Sequence, residues 1–432
     1  MIKKPFFSLT PPRFHYDLLT DTSLSPRVIA PPSRLTWLVA QPYITSDCAV
    51  AVGDTVHCGQ KIQLYADKPG YVVATDSGAI AEISAYPGDF GRSFTAITIE
   101  TASDQCDAPP EATLLPEALD TANLATAADY LTTLPGAPPF ADMAAATVAP
   151  DTLIVFGGHG DLLMSTNQFI INRQLKTVTD GIAVLRQLTG IDRVIIIVPR
   201  ELFQGYGHID AEIKPVDTVY PAGHPHMIMD QVLGRPVPIG ETPQSLGVWF
   251  FSAEAVAALG RISQTGKLPT DKLITLVGKD GVKHLCQVRI GAPVGHICRV
   301  AGIELLDQDR IIIGGPLTGS SIFSETHPIT PDTDAVIIQG HDQFTRYSDY
   351  PCINCGECVR ACPARVPVNM LVRFLEAGLY QDAADQYDLM ACIDCGLCSV
   401  VCVSHIPIFQ YIKLAKHELS RTATVEVANE PE

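Results

Sequence analysis

Between residues 38 and 100, apolar positions come in short runs at 50–52, 61–64, 71–74 and 80–83, broken by the turn signals Gly53-Asp54 and Ser77-Gly78. Runs of this length and spacing predict a small all-β sandwich. After residue 150 the period changes. Residues 152–156 read as a strand, 173–188 as a helix with Val178, Ile182, Leu185 and Leu188 on one face, and 193–198 as a β-branched second strand. A helix over 227–233, a strand over 247–251 and a helix over 253–262 continue the alternation, which predicts a parallel sheet covered by helices. Strand character then returns at 273–277, 285–290, 310–313 and 335–338, with one helix over 294–300, a pattern that predicts a β-grasp domain. An amphipathic helix over 368–376 sets Leu371, Phe374 and Leu375 on one side, and past Lys416 the polar sequence predicts fraying. The proline-rich residues 1–37 predict an extended arm, and 101–150, two Pro/Ala-rich stretches around a helical 118–131, predict a connector.

A chain of 432 residues has room for roughly three or four domains. Its formal net charge of -17 argues against nucleic acid, whose phosphates require a basic surface. No apolar run approaches the length of a membrane-spanning helix, and Pro5, Pro11 and Pro12 interrupt anything like a signal-peptide core. Work at a membrane therefore implies a partner there.

Cysteine carries the chemistry. Cys352, Cys355, Cys358 and Cys362 form a CxxCxxCxxxCP run, and Cys392, Cys395, Cys398 and Cys402 repeat it with Val403 in place of the proline. Two such runs are the sequence form of a two-cluster iron-sulfur module, in which the fourth cysteine of each run ligates the other cluster. The assignment is Cys352, Cys355, Cys358 and Cys402 for one [4Fe-4S] cluster, and Cys392, Cys395, Cys398 and Cys362 for the second. A pair of zinc knuckles is the competing reading, but zinc sites space two pairs of ligands further apart. Gly356 and Gly396 let the backbone pass close to sulfide, and Ile353, Ile393, Val366 and Ile406 are expected to form an apolar jacket. His405 is expected to shape a loop exit and not to serve as a ligand. The other five cysteines, Cys48, Cys58, Cys106, Cys286 and Cys298, read as reduced, mostly buried thiols of a cytoplasmic protein.

Ligands of parallel sheets bind at the carboxyl ends of the strands. That position is the loop Gly157-Gly158-His159-Gly160-Asp161, with Gly157, Gly158 and Gly160 as candidate phosphate contacts. It is neither GxGxxG nor GxxxxGK[ST], so a tight turn without ligand competes. His159 and Asp161 could form an acid/base or metal pair, but two solvated loop residues are the favoured reading. No acid/base catalyst is assigned.

The stretch GDTVHCGQKIQLYADKPGYVVATDSGAIAEI resembles a lipoyl or biotinyl carrier domain, with Lys68 at the place of the modified lysine; Pro69 directly after it favours an unmodified domain. The order of parts as a whole resembles the RnfC family, the C subunits of the Rnf electron-transport complex, which are related to the NADH-binding subunit of complex I and to cobalamin reductase. The likeness rests on the PPR near Pro11, YPAGHPHMIMDQVLGRPVP, LITLVGKDGVKHLCQVRIGAPV, IIIGGPLTG and the two cysteine runs. It implies a multidomain α+β chain: an arm over 1–37, a lipoyl-like β-sandwich over 38–100, a connector over 101–150, and a Rossmann-like α/β domain over 151–264. An SLBB-like β-grasp domain over 268–340, a helical two-cluster ferredoxin-like domain over 345–415 and a tail over 416–432 complete it.

The same likeness implies exchange of electrons with NADH through FMN, and their relay through the clusters to ion-translocating membrane subunits. The family's GxGGAGFPT loop would fall near Leu134-Pro135-Gly136-Ala137-Pro138-Pro139-Phe140, which keeps one glycine, and its acidic NGxExEP segment would fall on residues 156–161, which lack both glutamates. The expectation is therefore an electron-relay subunit, peripheral on the cytoplasmic face of the membrane, that binds FMN and NADH weakly or not at all. Its partners would be Rnf-type membrane subunits and a ferredoxin or a cytochrome. The alternatives are a soluble NADH- and flavin-dependent reductase of the cobalamin-reductase type and a structural adaptor.

Overall fold

The computed structural model describes residues 12–19, 25–44, 48–65, 70–102, 123–205, 209–344, 346–348 and 350–429. It is a mixed α/β chain, with Arg34–Val39, Ser93–Thr101, Gly78–Pro87 and Thr55–Val56 forming an antiparallel sheet in that order beside the hairpin pair Lys61–Gln63 and Tyr71–Val73. Alternation sets one face inward: Leu35, Trp37 and Val39 are buried while Thr36 and Leu38 are half-buried. Lys68 lies outside the described residues. Cys58, expected as a free thiol, is disulfide-bonded.

The second sheet is fully parallel, in the order Glu212–Val216, Val194–Pro199, Thr152–Phe156, Val248–Ser252. The strands Val194–Pro199, Thr152–Phe156 and Val248–Ser252 are apolar on both faces because both are covered, whereas the edge strand Glu212–Val216 carries Glu212 and Lys214. Leu153 and Val155 pack under the helices Leu175–Thr189 and Ala253–Thr265, and Ile154, Ile195 and Ile197 pack against Pro225–Gln231. The two long helices cross where a Cβ on Gly181 would lie 1.9 Å from the Val256 carbonyl oxygen, so only glycine permits the approach. The single helix expected over 173–188 is two, Thr166–Arg173 and Leu175–Thr189, because Gln174 leaves helical geometry (φ -117, ψ 31). Leu131, Leu134, Phe140 and Met143, expected in a connector, are buried in this core.

The third sheet has six strands, and its edge strand Arg27–Val28 comes from the N-terminal arm. Its core is continuous with that of the first β unit: Ile274, Cys286 and Val288 belong to one buried cluster with Leu35, Trp37 and Ile97. Between the parallel and the six-stranded sheets, Lys272 and Glu254 form a fully buried ion pair at 2.9 Å; Lys272 also donates to the Thr333 carbonyl, and Leu273 N donates to Glu254 Oε1 at 2.7 Å.

The C-terminal part is helical and packs Val366, Leu371, Leu375, Ile406, Phe409 and Ile412 into its own core. The last helix spans Ile408–Asn429 where fraying from 416 is expected, and no glycine or proline interrupts it. Among the described residues no helix is long and apolar enough to cross a membrane.

Candidate functional site

The two cysteine runs lie forty positions apart, and their backbones repeat. Asn354 and Asp394, Gly356 and Gly396, and Arg365 and His405 all take left-handed φ values between 54° and 76°. Each run thus makes a sharp loop before its short helix, Glu357–Ala361 or Leu397–Val400. One cavity is lined by Cys352, Cys355, Cys358 and Cys402 with Ile353, Val372 and Ile406 among its walls. The other is lined by Cys362, Cys392, Cys395 and Cys398 with Val366, Ile393 and Phe409. Cys402 thus lines the cavity of the first run and Cys362 that of the second.

Among the described residues no group of three or more His, Cys, Asp or Glu side chains is arranged to hold a metal ion. The four sulfurs of each set instead surround a cavity, the arrangement that suits a polynuclear cluster better than one ion, and four thiols in an apolar wall are the donor set an iron-sulfur cluster takes. Burial pushes the Cys358 and Cys392 thiols up to about 12, so it is coordination that would deprotonate them. Of the expected apolar jacket, Ile393, Val366 and Ile406 are buried, whereas Ile353 is 51% exposed and lines its cavity from the surface.

The second loop is clasped by the rest of the chain. Tyr220 Oη donates to the Cys395 carbonyl at 2.7 Å, and Ile393, Cys395 and Leu397 share an apolar cluster with Tyr16, Tyr220, Leu162 and Leu317. A Cβ on Gly396 would lie 2.5 Å from the Leu317 carbonyl oxygen, so glycine is what lets these backbones meet. Lys416 ties the same loop to the last helix, donating to the Cys392 carbonyl at 2.6 Å and to Asp394 at 2.7 Å.

The loop at the carboxyl end of Thr152–Phe156 lies in this joint. His159 and Asp161, expected to be solvated, are both buried. His159 Nε2 donates to Gln168 Oε1 at 2.8 Å, with Leu19 N donating to the same oxygen at 2.9 Å, and burial lowers the imidazole to about 4. Asp161 Oδ2 accepts from Leu317 N at 3.0 Å, Thr318 N at 2.8 Å and Thr318 Oγ1 at 2.7 Å, while Oδ1 accepts from Leu162 N at 2.6 Å. Burial raises the Asp161 carboxyl, and these hydrogen bonds hold it back. Gly157 and Gly158 serve packing, since a Cβ on either would meet Ile171 or the Phe156 ring; Gly160 faces open space. Gly136 sits on the first turn of Ala253–Thr265, whose backbone N–H groups are already met: Ala255 N by Ser252 Oγ and Glu254 N by Asn167 Oδ1. The roles of Tyr220, Leu317 and Thr318 are not legible in the sequence, although the stretches that hold them, YPAGHPHM and IIIGGPLTG, stand out there.

Residues 351–406 match the family described as 4Fe-4S dicluster domain, and residues 125–268 match the NqrA second alpha/beta domain. The C subunit of the ion-translocating oxidoreductase complex of Edwardsiella ictaluri (strain 93-146) is 29% identical over 282 residues, 62% of this chain and 35% of that protein. Its namesake from Serratia proteamaculans (strain 568) is 24% identical, covering 74% of this chain and 48% of its own length. The chain thus spans about a third to a half of the length of these curated relatives. An NAD+-reducing [NiFe]-hydrogenase in the H2-reduced state has a chain that aligns at 14% identity with a TM-score of 0.44, covering 75% of this chain and 70% of that one. Nothing about function follows from so distant a likeness.

Proposed function

We propose that this RnfC-like chain is the electron-transfer subunit of a membrane-associated ion-translocating oxidoreductase. In this reading Cys352, Cys355, Cys358 and Cys402 hold one [4Fe-4S] cluster, and Cys362, Cys392, Cys395 and Cys398 hold the other. The observation that carries it is the pair of four-cysteine cavities with exchanged fourth sulfurs. When bound, the clusters supply one-electron carriers; the chain supplies thiolates, an apolar wall and hydrogen bonds near the sulfurs, which set potential. The Asp394 and Ile406 amides, 3.5 Å from Cys392 Sγ and 3.4 Å from Cys402 Sγ, are two such donors.

In the same reading residues 38–100, 151–264, 268–340 and 345–415 are the lipoyl-like, Rossmann-like, SLBB-like and two-cluster parts, residues 131–143 belong with the Rossmann-like core and not to a connector, and the nucleotide site has been closed from within. The residues at 134–140 and 157–161 do not fit FMN or NADH. The first helical turn that would face phosphate is capped by Ser252 and Asn167, and Asp161 places a carboxylate where a phosphate would need donors. Electrons would then enter and leave through proteins, a ferredoxin or cytochrome on one side and the membrane subunits on the other.

Anaerobic reconstitution should load about eight iron and eight sulfide per chain. In electron paramagnetic resonance, Cys362→Ser should perturb the same cluster signal as Cys398→Ser, and Cys402→Ser the same one as Cys352→Ser. Pairing of Cys362 with Cys352 would refute crossed ligation, and stoichiometric FMN with rapid cluster bleaching by NADH would refute the closed nucleotide site.

A further inference from the structure

The two cysteine loops have the same backbone and opposite surroundings. Three points at which the second loop is clasped have counterparts forty positions earlier that face out. Ile393 is 8% exposed beneath Tyr16, Tyr220 and Leu317, whereas Ile353 is 51% exposed. The Cys395 carbonyl accepts from Tyr220 Oη at 2.7 Å, whereas among the described residues the Cys355 carbonyl meets the tip of Arg360 at 3.5 Å. At Gly396 the backbone of Leu317 fills the space a Cβ would need; at Gly356 the nearest atom to such a Cβ is the Arg360 Nη1, 3.5 Å off. Two further apolar side chains border the open loop. Val403, 41% exposed, lines the same cavity as Ile353, and Tyr350, 76% exposed, lies beside Pro351, whose carbonyl accepts from the Ser404 hydroxyl at 3.5 Å.

We infer that the surface formed by Tyr350, Ile353, Gly356 and Val403 is the docking site for a redox protein. Its partner is a membrane-bound polypeptide with a one-electron centre of its own, and it covers the first cavity as the parallel-sheet unit covers the second. The occupant's chemistry is read from the internal contact: apolar side chains over the position of Ile353, a hydroxyl donor toward the Cys355 carbonyl, and a backbone that approaches Gly356. Covering excludes water from the cavity's open rim, which raises the strength of every electrostatic contact to its sulfurs. The inference rests on the electron-transfer reading above, and identifies the face through which electrons pass between the first cavity and the next carrier.

The test uses the full reconstituted chain and membranes from cells from which this chain has been deleted. Binding is read by co-sedimentation and iron by chemical analysis. Ile353→Asp and Tyr350→Asp should each weaken membrane binding at least tenfold with iron and sulfide unchanged, while Ile239→Asp, at an exposed apolar position remote in sequence (62% exposed), should bind as the unaltered chain does. Should Ile353→Asp lose iron because it lines the cavity, Tyr350→Asp, which does not line it, decides. Unchanged binding of Tyr350→Asp would overturn the inference, and so would a self-associated chain that Tyr350→Asp makes monomeric with membrane binding intact, since the occupant would then be a second copy. An unaltered chain that takes up no iron yet loses binding on Tyr350→Asp would refute the cluster reading and leave the docking surface standing.

Discussion

Asp161 offers the most direct perturbation of the joint between the parallel-sheet unit and the second cysteine loop. Its Oδ2 is the common acceptor for Leu317 N, Thr318 N and Thr318 Oγ1, and the loop it holds is the one that lies on Gly396. A hydrogen bond to a charged acceptor contributes about 1.5–3 kcal/mol. Leu317 and Thr318 are half-buried, so water can replace part of each bond, and desolvation of the carboxylate offsets another part. Taking about 1 kcal/mol for each of three bonds, Asp161→Ala should cost about 3 kcal/mol, and Asp161→Asn about half of that because a neutral acceptor remains. Local opening follows the same arithmetic, so exchange of the Leu317 and Thr318 amides should accelerate about a hundredfold in the alanine variant. Urea denaturation gives the global cost and hydrogen exchange the local one. A loss under about 1 kcal/mol together with unchanged protection at both amides would refute the clamp.

Two further outcomes follow from buried titratable groups. His159 is held neutral with its titration lowered from 6.5 to about 4, so its contribution to stability is complete above pH 6.5 and is lost as pH falls from there toward 4. At about 1.36 kcal/mol per unit the loss reaches about 3 kcal/mol, and His224, lowered to about 4 by burial, adds to it. His159→Gln should flatten this part of the acid profile in denaturation curves between pH 7.5 and 4.5, and an unaltered profile would contradict the assignment. Lys272→Met should destabilise by about 3–5 kcal/mol, because it leaves the Glu254 carboxylate buried without its cation. Adding Glu254→Leu should recover most of the loss, and a single variant within about 1 kcal/mol of the parent would show that the pair does not hold the two sheets together.

Local pattern was enough to read much of this chain. The strands Thr152–Phe156 and Arg310–Ile313 and the helix Val368–Glu376 run over the residues that their periodicity predicts. The expectation that Cys402 joins the first run and Cys362 the second comes from the spacing together with the ligation pattern of two-cluster ferredoxins. What pattern could not show depends on partners distant in sequence. Asp161 reads as a solvated loop residue until Thr318, from the other end of the six-stranded unit, is brought to it. Ile353 and Ile393 stand in near-identical local sequence, CINCGEC and CIDCGLC, and differ only in what the rest of the fold lays over them. No local signal distinguishes them. Cys58 likewise reads as a free thiol, since disulfide pairing depends on a second cysteine placed by the fold.

The continuous core beneath the first β unit bears on how that unit could work. Carrier domains that deliver a group attached to lysine must tumble on a tether between distant sites. Here Thr36 N donates to the Gly291 carbonyl at 2.9 Å, Thr75 Oγ1 to the Ile290 carbonyl at 2.6 Å and Arg289 to the Thr75 carbonyl at 2.6 Å, over an apolar interior common to both sheets. Swinging would tear that interior open. The unit is a fixed buttress, and any substituent on its surface could travel no further than its own covalent length.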